Sequence, residues 1–432
     1  MSGVKKISDT KKKNRISVVK VFLLTFIAVV SVGLLGMSGY LLMEKKTDHD
    51  LKTVETVFEE ADTDVQTNVE AVPSHSLWEA IPTQGEQSAE EADGNQETLA
   101  MLSGKRVQML DAGSSGNISF GFGGDILFDD EYACMANLLN RGVTIENGIS
   151  EALLAGMHDV DVMMVNNEFP YTDRGTPTEG KTYTFRADPE CVQYLHDMGV
   201  DVVSLANNHA YDFGEVGFLD TLDTLENAGI PYVGAGRNLK EACEPIYFVS
   251  EDVTVALVSA TQIERLDNPD TKGATENSAG VFRCLYPEKL LEVIAEAKEN
   301  SDFVIVYIHW GTENEVEPDW AQLDQAPKIA EAGADLIVGA HPHCLQGIEY
   351  YGDTPVIYSI GNFWFNSKTM DTGLLRVDIS KEGIENLQFM PAVQQDCRTD
   401  YVYGGEKERI LSYMESISYN VAIDSEGYIT KK

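Results

Sequence analysis

The chain has 432 residues, 43% of them apolar, enough to bury a large core. Its formal charge of −38 at pH 7 leaves no basic surplus to neutralise phosphates, which argues against a nucleic-acid partner. Any anionic partner has to be met by a local basic or metal-bearing site.

The positive charge is spread unevenly: at the start Lys5, Lys6, Lys11, Lys12, Lys13, Arg15 and Lys20 face a single acid, Asp9. Residues 1–20 read as a basic tail. The next stretch, 21–43 (VFLLTFIAVVSVGLLGMSGYLLM), carries no charge. As a helix it is roughly 34 Å long, enough to cross a hydrocarbon core of about 30 Å. A cleaved signal peptide has a shorter apolar region followed by a small-residue site, which this stretch lacks. The expectation is a single-pass transmembrane helix in the cell membrane. The basic flank puts the N-terminus in the cytoplasm and the C-terminal domain outside the cell.

Residues 47–100 hold fourteen Asp and Glu against one Lys. Such a composition cannot bury enough surface to offset chain entropy, so 44–116 is expected to be a disordered acidic stalk, extended by its own charge. An acidic tail that captures a cationic partner is the alternative. The six cysteines (Cys134, Cys191, Cys243, Cys284, Cys344, Cys397) form no C-x-x-C pair. Their spacing does not choose among the possible disulfide pairings.

From about Ile118 short apolar runs alternate with amphipathic stretches. The runs are ISFGF (118–122), DVMMV (161–165), DVVSLA (201–206), VTVALVSA (253–260), FVIVYIHW (303–310), DLIVGAH (335–341) and PVIYSIGN (355–362). This alternation predicts an α/β domain over 117–373 with largely parallel strands, each buried on both faces. Residues 374–432 carry mixed strand and helix signals and are expected to pack on the domain as a C-terminal extension.

Parallel α/β sheets bind ligands at the carboxyl ends of their strands. Five such ends here present Asp125, Glu168, the string NNHAYD (207–212), His309, and the pair His341 and His343. Carboxylate, amide and imidazole together make a donor set for one or two divalent ions, without distinguishing manganese, zinc, iron or magnesium.

The ordered strings GGD, NNE, NNH, HWG and GAHPH resemble the calcineurin-like metallophosphoesterase superfamily. SLANNHAYDFGEVGFLDTLDTLENAGIPYVGAG, HWGTENE, VGAHPHCLQGIEYY and YSIGNFWF are similar to the motifs of its CapA branch, the poly-γ-glutamate capsule synthesis proteins. The resemblance implies a four-layer αββα sandwich with Glu168 bridging two metals. Asp125 and His343 would complete one site, and Asn208, His309 and His341 the other. His209 would protonate a leaving group or steady charge, with metal-activated water as nucleophile. Three positions depart from the superfamily pattern: Leu127 replaces an imidazole ligand, Glu168 replaces an aspartate, and Ala210 replaces the acid after His209. Asp212 is the nearest substitute for orienting the imidazole. One metal on the His309, His341 and Asn208 side is therefore the preferred picture. Lys181 and Arg186 are candidates to receive an anionic substrate, and Glu313 and Asn362 to line the cleft.

The resulting expectation is a membrane-anchored CapA-like protein that helps make, export or tether an anionic capsule polymer, with metal-dependent hydrolase chemistry at amide or ester bonds. A metal-dependent phosphoesterase acting on a phosphate-bearing substrate, and a non-catalytic scaffold for membrane synthase subunits, are the alternatives.

Overall fold

The structure is a computed structural model and describes residues 98–110, 116–263 and 271–432. The segment 21–43 and most of the expected stalk lie outside these residues. Among the described residues no helix is long and apolar enough to cross a membrane. Numbered in chain order, the strands begin with β1 Arg106–Met109, β2 Ile118–Ile126, β3 Val162–Asn167, β4 Val202–Ser204, β5 Tyr232–Val233, β6 Ala235–Gly236, β7 Ile246–Val249, β8 Thr254–Thr261 and β9 Gly280–Val281. They continue with β10 Phe303–His309, β11 Leu336–Ala340, β12 Ile348–Tyr351, β13 Thr354–Ile357, β14 Asn362–Trp364, β15 Met370–Ser380, β16 Gly383–Gln395, β17 Arg398–Tyr401, β18 Val421–Ile423 and β19 Ile429–Lys431.

Two large sheets dominate. The first is ordered β1-β7-β8-β10-β11-β13-β12, and the second β17-β16-β15-β2-β3-β4-β5, with β14 also paired to β2. Alternation along each strand decides the layers. Phe120 and Phe122 of β2, Val162 and Met164 of β3, Val255 and Leu257 of β8, and Ile305 and Tyr307 of β10 meet in one core between the sheets. The intervening residues face outward into two further cores. On the second sheet Met163 and Val165 join one with helix Gly214–Ala228. On the first sheet Ala256, Val304 and Val306 pack against helices Glu288–Glu299 and Trp320–Glu331. The result is a four-layer α/β sandwich. Rings interlock across its middle, Phe120 edge-on to Phe248 at 5.4 Å and Phe122 stacked on Tyr307 at 6.3 Å.

The runs read from sequence do pair in parallel, β2 with β3, β3 with β4, β8 with β10, β10 with β11 and β11 with β13. Antiparallel neighbours flank them: β7 beside β8, β12 beside β13, and β15 beside both β2 and β16. Two expectations need correction. The boundary at residue 373 cuts through β15, whose Leu375 and Val377 pair with Phe122 and Phe120. Those side chains, with Ile379, alternate into the central core, so this hairpin belongs to the sandwich. Finally, the stalk expected over 44–116 includes Arg106–Met109, yet β1 pairs in parallel with β7. Its lack of acids and the buried Leu102 just before it suit a paired strand.

Candidate metal centre

The carboxyl ends of β2, β3, β4, β10 and β11 point to one edge of the sandwich. At the end of β2 a side chain on Gly124 would lie 1.7 Å from the Gly361 carbonyl oxygen. Only glycine permits that approach, which lets Asp125 N donate to Gly361 O and sets Asn362 of β14 opposite Asp125. After β11 the chain turns through His341 and His343, both with positive φ (96° and 57°). This uncommon backbone around Pro342 brings both imidazoles to the cluster.

His309 stands at its centre. Its Nε2 lies 2.8 Å from Asn208 Oδ1, 3.0 Å from His341 Nδ1 and 3.6 Å from Glu168 Oε1. Donors about 2.0–2.2 Å from one cation sit roughly 3–3.5 Å from each other, so these spacings suit a single ion. A second group of Asp125, Glu168 and His343 adjoins it. There His343 Nδ1 lies 3.1 Å from Asp125 Oδ2 and 2.7 Å from Asn362 Oδ1. Leu127, where the superfamily places a further imidazole, is buried in the outer core of the second sheet instead.

The electrostatics without an ion are unfavourable. Burial, with the Asp125 and Glu313 charges, raises the Glu168 carboxyl well above the usual carboxylate range. Burial drives the His309 and His341 imidazoles well below theirs, and neighbouring imidazoles push the same way. Burial lowers His343 as well, but the Asp125 carboxylate outweighs it and the net shift is upward. Glu168 Oε1 and Asp125 Oδ2 are buried and neither receives a well-formed hydrogen bond, although Asp125 Oδ2 stands 3.1 Å from His343 Nδ1. Crowded carboxylates, neutral imidazoles and two poorly bonded oxygens are what a divalent cation would satisfy, so the residues fit one.

His209 borders this cluster. Its Nε2 is 4.0 Å from Glu168 Oε1, and its Nδ1 is 2.7 Å from Asp212 Oδ2. The short turn that returns Asp212 N to His209 O makes a residue three positions later the orienting acid. Burial lowers the His209 pKa despite that carboxylate.

The substrate-binding candidates divide. Lys181 is buried and committed: its Nζ donates to the Asn208 carbonyl and, at 2.5 Å, to Asp212 Oδ1. It is therefore placed to hold the His209–Asp212 pair rather than to receive substrate. The Arg186 guanidinium lies 4.9 Å over the Phe213 ring, with no carboxylate partner in that contact. Glu313 is exposed yet near enough to influence Glu168 and His343. Asn362 reaches the centre through His343.

Several residues were missed from sequence. Asn166 Nδ2 donates to Asp125 Oδ1 at 2.7 Å and lies 3.2 Å from His309 Nδ1. Asn207 Nδ2 donates to Asn166 Oδ1, and Asn207 Oδ1 accepts from His209 N. Phe185 stacks on His209 with centroids 4.2 Å apart, while its N–H donates to Asp212 Oδ2. The doubled asparagines in NNE and NNH were the available signal: one of each pair is a buried strut.

Oxygen and imidazole donors gathered where strands of two packed, mixed sheets end define an α/β sandwich with a candidate divalent-cation centre. The chain belongs to the bacterial capsule synthesis protein family, whose model, described as bacterial capsule synthesis protein PGA_cap, matches residues 119–367. It is 35% identical over 238 residues to the PGA biosynthesis protein CapA of Bacillus subtilis (strain 168), covering 54% of this chain and 61% of that one. To the capsule biosynthesis protein CapA of Bacillus anthracis it is 34% identical over 220 residues, covering 49% and 52%. A "probable polyglutamine synthesis accessory protein" of Mycobacterium tuberculosis is 29% identical over 281 residues, covering 61% and 74%. The chain thus spans between about half and three fifths of the length of the two Bacillus relatives.

Proposed function

We propose that this chain serves the synthesis, export or tethering of an anionic capsule polymer of the poly-γ-glutamate type. In this reading it is anchored in the cell membrane by residues 21–43, faces outward and works with membrane synthase subunits. Glu168, Asn208, His309 and His341 would hold one divalent cation. The observation that carries the reading is the family match over the very residues that build the cluster. The two poorly bonded carboxylate oxygens support the cation. A divalent cation there would polarise an amide or ester carbonyl and lower the pKa of water.

The chain's own residues supply the rest. Lys181 holds Asp212, Asp212 fixes His209 through Nδ1, and Nε2 is turned toward Glu168, where it can pass a proton or steady developing charge. Phe185 covers one face of that ring and limits water there. The His209–Asp212 pair also favours a second reading, a metal-dependent phosphoesterase.

The test is to purify the full chain, load it with manganese, zinc, iron or magnesium, and measure bound metal by elemental analysis. Retention and chain length of poly-γ-glutamate, and turnover of phosphate monoesters and diesters, are then followed. Stoichiometric metal with polymer binding or shortening is the expected result. Neither metal nor polymer binding would overturn the first reading, and phosphate-ester turnover lost in His209→Ala would establish the second.

A further inference from the structure

Asp396 and Cys397 form the two-residue turn between β16 and β17, closed by the Gln395–Arg398 pair. Both have positive φ, 51° and 60°. Turns of this kind favour Asn-Gly or Asp-Gly, since the second position strains any residue with a side chain. This chain places a cysteine there. Its side chain is 3% exposed and packs in the outer core of the second sheet.

Its neighbour is Cys134, 1% exposed, in the first turn of helix Ala133–Arg141. The two cysteines belong to the same outer core, and Cys397 lies close enough to act on the Cys134 thiol electrostatically. Surrounding bonds fix the approach. Asn137 Nδ2, one turn along the helix, donates to Cys397 Sγ at 3.4 Å, and Arg141 donates to Asp396 O at 2.7 Å. Cys134 Sγ donates to Asn366 O at 3.2 Å, while Trp364 Nε1 donates to Cys397 O at 3.0 Å. A strained position that prefers glycine thus holds a thiol against the helix face that carries a second cysteine, from a distant part of the chain.

We propose that Cys134 and Cys397 are a disulfide-forming pair. The oxidant is a small disulfide such as glutathione disulfide. One cysteine thiolate attacks its sulfur and releases one thiol, and the other cysteine then attacks the mixed disulfide and releases the second. The protein loses two hydrogens and one disulfide reagent becomes two thiols. An open groove of about 550 Å³, lined by Arg141, Asn147, Gln395, Asp396, Arg398 and Asp400, borders the turn. Burial raises the Cys134 thiol pKa, so exchange is slow in the native chain and faster while the helix and turn are docking. The product ties the helix that follows β2 to the edge of the second sheet.

The full chain is refolded, and separately incubated in the native state, with glutathione disulfide, then alkylated in denaturant and mapped by non-reducing peptide mass spectrometry. The expected result is one cross-linked peptide joining Cys134 to Cys397, with the other four of the six cysteines alkylated. Its urea midpoint should stand at or above that of the reduced chain. The peptide should vanish in Cys397→Gly, a substitution the turn favours. Six alkylated cysteines, cross-links between other cysteines only, or a cross-linked chain with a lower midpoint than the reduced one would each overturn the proposal.

Discussion

Asp212→Ala removes one carboxylate that serves three donors: His209 Nδ1 and Phe185 N at 2.7 Å each, and Lys181 Nζ at 2.5 Å. The Lys181 and Asp212 side chains are 6% and 0% exposed, so the substitution strands an ammonium group away from water. Removing one partner of a buried pair costs about 3–5 kcal/mol, against roughly 0–1 for a surface pair. With a urea dependence of about 3 kcal/mol per molar, the unfolding midpoint falls by roughly 1–1.7 M. Adding Lys181→Met removes the stranded charge while keeping an apolar stem, and the double variant should recover most of the loss. Urea unfolding of the full chain, followed by tryptophan fluorescence, reads both effects. A single variant within about 1 kcal/mol of wild type, or a double variant destabilised by the sum of the singles, would refute the coupled pair. His209 would then need another explanation for its orientation.

His309→Ala should weaken manganese or zinc binding by more than roughly 100-fold in calorimetric titration, because His309 lies against every other donor of its group. An unchanged affinity would move the cation elsewhere. Gly124→Ala drives a methyl group into the Gly361 carbonyl and should cost about 2–3 kcal/mol in the same urea assay. A neutral substitution would mean that β14 does not lie where it is described. Asp129→Asn tests a pH effect. Burial raises the Asp129 carboxyl to about 6, although Arg186 N and Glu131 N donate to it. An acid with a raised folded-state pKa imposes no penalty below about pH 4, where both states are protonated, and its full penalty above about pH 6. Relative to Asp129→Asn, the wild type should therefore lose roughly 2 kcal/mol of stability between about pH 4 and 7, and a flat or rising difference would contradict this.

The strand ends were legible because buried parallel strands leave few reasons for polar residues at their carboxyl termini. Asp125, Glu168, His309, His341 and His343 could be nominated from position alone, Asn208 only with the help of the family motif, and the structure brings them together. Asp212 was legible through its nearness to His209, since a tight turn is a local event. Lys181 was not. Its partner is set by how the irregular chain between β3 and β4 folds back, and residue type suggested substrate contact. The β15–β16 hairpin was obscured for a different reason: it straddles the boundary drawn at residue 373, and its alternating Leu375, Val377 and Ile379 lay in a segment of mixed strand and helix signals. Asn166 and Asn207 were visible only as repeated letters, because a buried amide strut has no sequence signature beyond its neighbours.

The donors of the centre are divided along the chain by chemistry. Those before residue 210, Asp125, Glu168 and Asn208, are oxygens, while the imidazoles His309, His341 and His343 all come from the later half. During synthesis the emerging half could offer only a weak, hard-oxygen binding patch. Any affinity for a borderline metal such as zinc would arise only when β10 and β11 take their places in the first sheet. Zinc uptake would thus report completed assembly of both sheets, and a chain released early would compete poorly for scarce metal.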